Sequence, residues 1–139
     1  MLEGIKKLHF VGIGGVGMSA IAEVMLDKGY EISGSDLSES AVVKHLKAKG
    51  ATIYKAPDAL NVEGKEALVL SSAIHQDNPE LVAAKAKGLK LFHRSDILAY
   101  LLNDAKGIAV AGAHGKTTTS SMISVVLEHA KVDPTILIG

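Results

Sequence analysis

Cysteine is missing from this 139-residue chain, so neither a disulfide framework nor a thiolate metal site is available to it. Net charge is missing as well: 15 basic side chains balance 15 acidic ones, whereas a dedicated nucleic-acid or anionic-membrane binder carries a basic excess. No apolar run approaches the roughly 18 residues of a membrane-spanning helix. The lysines of Met1–Lys7 precede an apolar stretch that glycines interrupt, which reads as strand and loop rather than as a secretion signal. The six histidines have no metal-ligand spacing, and no low-complexity linker is visible. These absences point to a cytoplasmic protein with neither nucleic acid nor membrane among its partners. What is present is apolar, 47% of the residues, enough for a buried core in a chain whose length suits about one domain.

The chain alternates strand and helix. Leu8–Ile13 is an apolar run that fits a buried strand, and Met18, Ile21, Ala22 and Met25 then recur at helical spacing as far as Lys28. A second strand begins at Tyr30–Ser33, and further strands are expected at Thr52–Tyr54, Ala67–Ser71, Lys90–Phe92 and Gly107–Ala111. Helices are expected at Glu39–Lys49, Pro79–Lys87, Asp96–Leu102 and Lys116–Ala130, with Ser38 or Ser40, Asn78 and Ser95 as the caps of the first three. Lys28-Gly29, Lys49-Gly50 and Lys87-Gly88 each close a helix and open a strand, because glycine takes the left-handed backbone past a helix end and lysine opposes the helix dipole. Repeated strand–helix–strand units imply an α/β fold, a parallel sheet covered by helices on both faces. The softest boundary is the polar stretch Asn103–Lys106. His9, His45 and His129 read as structural or surface groups, Met18, Met25 and Met122 as core filling, and Lys44, Lys47 and Lys49 as a solvated helix face.

Two glycine loops carry the chemistry. Gly12-Ile13-Gly14-Gly15-Val16-Gly17 matches G-x-G-x-x-G between the first strand and first helix. Gly12 then permits the tight turn, Gly14 lets backbone approach a phosphate, and Gly17 lets the helix pack closely on the sheet. The helix start offers free N–H groups and a positive dipole end to a pyrophosphate, and Asp36, ending the second strand, stands where an acid meets a ribose hydroxyl. The second loop, Gly112-Ala113-His114-Gly115-Lys116-Thr117-Thr118-Thr119, follows the apolar strand Ile108–Ala111 and precedes a helix, as in an ATP phosphate loop. Its backbone would cradle phosphates, Lys116 would reach the β- and γ-phosphates, and the Thr117 hydroxyl would ligate magnesium. The loop is shorter than the common pattern, with Val110 at the first glycine position and Gly112 two residues later.

Taken together, His9–Ser19, Gly34-Ser35-Asp36, Ser71-Ser72-Ala73-Ile74, the loop Ala111–Thr119 and the closing Asp133–Gly139 resemble the Mur ligases, in order and over essentially the whole chain. Ala113 departs from the usual threonine. The resemblance implies a Rossmann-like domain over residues 1–104 that binds a UDP-sugar, followed over 105–139 by the first strand, P-loop and helix of a truncated ATPase domain. It implies MgATP as cofactor, UDP-N-acetylmuramate and L-alanine as substrates, and an amide formed through an acyl phosphate. Carried over by position, Gly14, Gly15, Val16 and Gly17 would hold the UDP pyrophosphate, and Asp36 would sit near the ribose or uracil. Ser71, Ser72, Ala73, Ile74 and His75 would form a substrate loop after the fourth strand, with Arg94 pairing with a phosphate. Gly112, Ala113, His114, Gly115, Lys116, Thr117 and Thr118 would hold ATP, with Lys116 catalytic.

The chain as given is expected to bind the UDP moiety without catalysing ligation. Its P-loop helix would expose Met122, Val125 and Val126, which predicts either disorder after about Ala105 or a homodimer paired through this tail. Three alternatives remain open at this point: an NAD(P)-binding domain of an oxidoreductase, a nucleotide-binding module without chemistry, and a sibling ligase for another UDP-muramoyl substrate.

Overall fold

The computed structural model describes residues 1–104, with Gly115 and Ile136 as isolated further positions. The strand, P-loop and helix expected after residue 105, and the tail surface of Met122, Val125 and Val126, lie outside the described residues, apart from Gly115. Five strands and four helices follow one another, alternating except between β3 and β4: β1 (Lys7–Val11), α1 (Val16–Asp27), β2 (Glu31–Ser35), α2 (Ala41–Ala48), β3 (Thr52–Tyr54), β4 (Ala67–Leu70), α3 (Pro79–Ala86), β5 (Lys90–His93) and α4 (Arg94–Asn103). A 3-10 turn, Ala59–Val62, which the sequence reading missed, lies between β3 and β4. All pairings are parallel, in the order β3-β2-β1-β4-β5. The chain winds outward from β1 to β3, then returns past β1 to start β4, so the strand order switches direction between β1 and β4. Open α/β sheets of this kind bind ligands in the crevice outside such a switch point.

The sheet sorts its side chains by parity, as the two-residue period of a strand requires. Leu8, Phe10, Ile32, Ala67, Val69 and Phe92 join the larger core with Met18, Ile21 and Met25 of α1, Leu46 of α2, and Ile97 and Leu101 of α4. Each large apolar side chain buried there contributes about 1.5–3 kcal/mol. Val11 and Leu68 turn to the opposite face, against Val62 of the 3-10 turn and Leu81 and Ala84 of α3. Helices therefore cover both faces, as the alternating pattern predicts.

The lysine–glycine junctions are as expected: Lys28, Lys49 and Lys87 are C-caps, followed by Gly29, Gly50 and Gly88 at φ of 93°, 112° and 71°. Asn78 caps α3 by accepting from the Glu80 and Leu81 N–H groups, and Ser40 rather than Ser38 caps α2. The last helix differs from expectation. It starts at Arg94, and its cap is His93 instead of Ser95: His93 Nδ1 accepts from the Ser95 N–H while the His93 N–H donates to the Asp96 carboxylate. An imidazole standing in for the usual hydroxyl hides this start from a search for Ser, Thr, Asp or Asn. The first strand also ends earlier than expected, at Val11, and α1 begins at Val16.

One face of the sheet is polar at its centre. His9, Ser33 and Ser35 project from β1 and β2 toward α3, all buried; His9 and Ser35 share the partner Glu80, whose side chain is 0% exposed, and Ser33 reaches it only through His9. Glu80 Oε1 accepts from the Asn61 side chain at 2.8 Å and bonds His9 Nε2 at 2.9 Å, while Oε2 accepts from the Ser35 hydroxyl at 2.7 Å. His9 Nδ1 meets the Ser33 hydroxyl at 2.8 Å. Among the described residues no buried side-chain polar atom is left without a partner. Burial alone would push the Glu80 carboxyl up, but the hydrogen bonds from His9, Asn61 and Ser35 outweigh it and hold the group below its ordinary value of 4.5.

Two expectations follow. A Cβ on Gly34 would lie 2.6 Å from Ile13 Cβ and 2.8 Å from the Phe10 carbonyl, so Gly34→Ala should destabilise the fold by about 1–3 kcal/mol in a denaturant melt. Because the folded Glu80 value is depressed, its ionised form contributes stability above the unfolded-chain value, and that contribution is lost as pH falls through the folded one. Melts between about pH 3 and pH 7 should show the stability advantage of the wild type over Glu80→Gln shrinking on the acid side and level near neutrality; an advantage that grows toward acid would contradict the assignment.

Candidate functional site

The turn between β1 and α1 is built on one carbonyl. The N–H groups of Gly12 and Ile13 both donate to the Ser35 oxygen, at 2.9 and 3.0 Å, so the end of β2 holds the start of the turn. Gly12 then takes φ +72°, a left-handed conformation that suits glycine and lets the chain reverse. The Gly15 N–H closes back on the Gly12 carbonyl at 3.1 Å. Gly15 is the N-cap of α1 and, lacking a side chain, supplies no capping bond. The first bond into the helix runs from the Ser19 N–H to the Gly15 carbonyl, so the N–H groups of Val16, Gly17 and Met18 lie ahead of it. Gly15 and Val16 are exposed, and Gly14 and Gly17 half-buried. The positive end of α1 is therefore open to solvent, without a cap, at the carboxyl edge of the sheet.

Two of the glycines do different work from that expected of them. A Cβ on Gly14 would lie 2.7 Å from Asp36 Oδ2 and 2.9 Å from a Val43 methyl, so the space it leaves is filled by protein. The Gly14 N–H donates to Asp36 Oδ2 at 2.8 Å, while Asp36 Oδ1 accepts from the N–H and hydroxyl of Ser38. Burial pushes the Asp36 carboxyl up, and these donors more than offset it, holding the group below the usual carboxylate range. Asp36 thus clamps the glycine turn to the loop after β2. A Cβ on Gly17 would lie 2.6 Å from Arg94 Nη1, with Arg94 Cδ and Cζ at 3.1 and 3.2 Å. Gly17 makes room for the Arg94 side chain rather than for packing on the sheet.

Arg94 is the first residue of α4 and is exposed, with no ion-pair partner among the described residues. Its guanidinium lies beside the start of α1 and its backbone begins α4, so one cation sits near two helix N-termini. Each dipole disfavours a cation there by about 0.3–1 kcal/mol, and an anion placed between them reverses the sign. An anion placed there could accept from backbone N–H groups and from the forked guanidinium.

The remaining sequence candidates are placed less closely. Ser71, Ser72, Ala73, Ile74 and His75 form the loop after β4, which pairs with β1 at the switch point. The Ile74 N–H turns back to the Ser71 carbonyl, and Ile74 packs on the smaller core; Ser72, Ala73 and His75 are exposed. Among the described residues no hydrogen bond joins this loop to the glycine turn. Beside Asp36 a cavity of about 170 Å³ lies among Val43, Lys44, Lys47, Ile53 and Lys55. Of the second glycine loop, Gly112, Ala113, His114, Lys116, Thr117 and Thr118 lie outside the described residues; Gly115 holds φ +77°. Ser35 was read only as part of the Gly34-Ser35-Asp36 segment, with no role of its own, and Val43 and Glu80 were not singled out. The available signal was parity: His9, Ser33 and Ser35 are polar at alternate positions of neighbouring buried strands, which demands a buried partner.

Residues 7–106 match the model of the Mur ligase family, catalytic domain. The chain belongs to the Mur ligase family. It is 56% identical over 137 residues to a UDP-N-acetylmuramate–L-alanine ligase of Hydrogenobaculum sp., covering 99% of this chain and 30% of that protein. It is 50% identical over 139 residues to the same-named ligase of Azoarcus sp., again 30% of its length. The crystal structure of UDP-N-acetylmuramate-alanine ligase from Thermotoga maritima superposes with a TM-score of 0.83 at 35% identity, over 90% of this chain and 30% of that one. A UDP-N-acetylmuramate:L-alanyl-gamma-D-glutamyl-meso-diaminopimelate ligase from Neisseria meningitides gives 0.84 at 30% identity, over 91% and 40%. This Mur ligase chain thus spans about 30% of the length of the curated relatives it matches. None of its described helices is long and apolar enough to cross a membrane.

Gly14→Ala is the local test of the clamp. The added methyl must displace Asp36 Oδ2 or Val43, so the variant should lose about 1–3 kcal/mol in a denaturant melt. In a spectrum that resolves backbone amides, the Ser38 resonance should shift with it; an unshifted Ser38 would mean that Asp36 is not held as described.

Proposed function

We propose that residues 1–104 form the UDP-sugar-binding domain of an ATP-dependent ligase that joins L-alanine to UDP-N-acetylmuramate, and that residues 105–139 begin its central ATP-binding domain. The observation that carries the proposal is Arg94 lying over Gly17 at the uncapped start of α1, which makes an anion site at the sheet's switch point. A diphosphate fits that chemistry: the N–H groups of Val16, Gly17 and Met18 donate from one side and the Arg94 guanidinium from the other. Asp36 and the Ser71–His75 loop flank this position along the carboxyl edge, on the β2 and β4 sides, and are assigned to the nucleoside and sugar portions. Relatives that share half or more of this chain's residues bear the name of the L-alanine ligase, which supports that member over its siblings.

The ATP assignment rests on Gly112–Thr118. Gly115 at φ +77° fits a loop that curls its N–H groups round phosphate oxygens. Lys116 would bind the β- and γ-phosphates, and Thr117 would hold the magnesium ion. Bound there, MgATP would supply the phosphoryl group that activates the substrate carboxylate for attack by the amine of L-alanine. No residue of this chain is assigned to L-alanine, and none to a second copy of the chain.

Thermal melts with UDP, UDP-N-acetylmuramate and NADH test the reading. A ligand that binds only the folded state at about a hundred times its Kd stabilises by about 2.7 kcal/mol, so UDP should raise the midpoint by several degrees. Arg94→Ala and Gly17→Ala should each weaken UDP by about tenfold or more, and the double variant should be little worse than the poorer single one, because both act on one guanidinium. A midpoint raised by NADH and not by UDP would overturn the proposal in favour of a dinucleotide-binding domain.

A further inference from the structure

Glu80 lies in none of the motifs that point to the ligand, yet it is the most heavily bonded buried side chain in the described structure. Its three partners come from three different elements. His9 is in β1, three residues before Gly12; Ser35 ends β2, directly before Asp36; Asn61 is in the turn that leads to β4. Glu80 itself is the second residue of α3, at the end of the loop that carries Ser71–His75. The Glu80 N–H donates to Asn78, and the Asn78 N–H donates to the His75 carbonyl, so the loop is tied to the same residue.

What Ser35 does next gives the network its reach. Its hydroxyl is held by Glu80, while its carbonyl accepts both N–H groups that start the glycine turn. Asp36, one residue on, holds the Gly14 N–H. A carboxylate is thus linked to three of the elements around the anion site, to the glycine turn and the Asp36 clamp through Ser35 and to the Ser71–His75 loop through Asn78, while Arg94 stands outside this network. A purely stabilising core would do better with apolar side chains, since a buried carboxylate must recover several kcal/mol of lost hydration before it contributes anything.

We propose that Glu80 is the positioning residue of the nucleotide site, fixing the Ser35 carbonyl that anchors the glycine turn and, through the start of α3, setting the Ser71–His75 loop from the same point. What is positioned rests on the UDP reading above; the mechanical link does not.

The test uses the chain with three substitutions. Glu80→Gln keeps the shape and can still bond His9, Asn61 and Ser35, but without charge. Ser35→Ala cuts the link on the other side. Leu101→Ala truncates the larger core near the far end of α4 and serves as a destabilised control. Hydrogen exchange of the Gly12, Ile13 and Gly14 amides is read beside that of β3 and β5, and UDP affinity is measured by calorimetry well below each midpoint.

Glu80→Gln and Ser35→Ala should speed exchange at Gly12–Gly14 by about tenfold relative to β3 and β5, and weaken UDP by about tenfold, while Leu101→Ala lowers the midpoint and does neither. Glu80→Gln and Ser35→Ala variants that melt earlier but keep UDP affinity and Gly12–Gly14 exchange within about twofold of wild type would overturn the proposal and leave Glu80 a stability residue only. If Glu80→Gln fails to fold, Ser35→Ala carries the same two readings. Should the wild type bind no UDP while these variants still loosen Gly12–Gly14, the ligand reading fails and the positioning role stands.

Discussion

Two N–H groups, those of Gly12 and Ile13, end on the single carbonyl of Ser35, and much of the site is a consequence of that convergence. It brings the end of β1 against the end of β2 tightly enough that Ile13 covers position 34, where only glycine fits. It puts Asp36 within reach of the Gly14 N–H. It also aims the chain so that α1 begins at the sheet edge with a glycine as its cap, leaving the first N–H groups unspent. Had a serine or aspartate capped α1, its side chain would have satisfied one of those donors and covered the open start of the helix.

The electrostatics point the same way. A guanidinium near two helix starts stands against both dipoles, and the missing side chain at position 17 leaves clearance for it. The magnitudes are small singly, about 0.3–1 kcal/mol for each dipole, and larger together once a diphosphate brings two negative groups to several donors at once. Asp36 argues against the simplest dinucleotide reading. In that reading its carboxylate is free to take a ribose hydroxyl, whereas here both oxygens already accept donors from the chain. It retains lone pairs for a ligand, but its position is set by the turn it clamps.

Much of this was legible in the sequence, and the parts that were not share a cause. The alternation of strand and helix, the lysine–glycine ends, the Asn78 cap and the glycine turn depend on neighbours within a few residues, so their signals are local. Arg94 was singled out from its position in the sequence as a candidate phosphate partner. Its contact with Gly17 was not, because the two are far apart in the chain and meet only when α4 folds back beside α1. The same holds for Gly14, whose missing side chain makes room for Val43 and Asp36, and for Glu80, whose partners His9, Ser35 and Asn61 are all distant in the chain. Helix α4 was placed late because its cap is an imidazole, a donor-acceptor that serves the role less often than a hydroxyl.

The polar centre of the sheet marks the difference between what holds this fold together and what shapes its site. Leu8, Phe10 and Val69 on one face pack in the ordinary way, and their loss would be felt everywhere. On the other face, His9, Ser33 and Ser35 give up apolar contact in favour of bonds that have direction. Hydrophobic packing tolerates small slips; a carboxylate with three donors at fixed angles does not, since each slip leaves a buried polar atom unpaired. A site built on a loop needs that kind of intolerance beneath it. The loop here carries glycines that cannot stiffen it, so rigidity has to come from the strand ends it hangs between, and those ends are where the directional bonds are found.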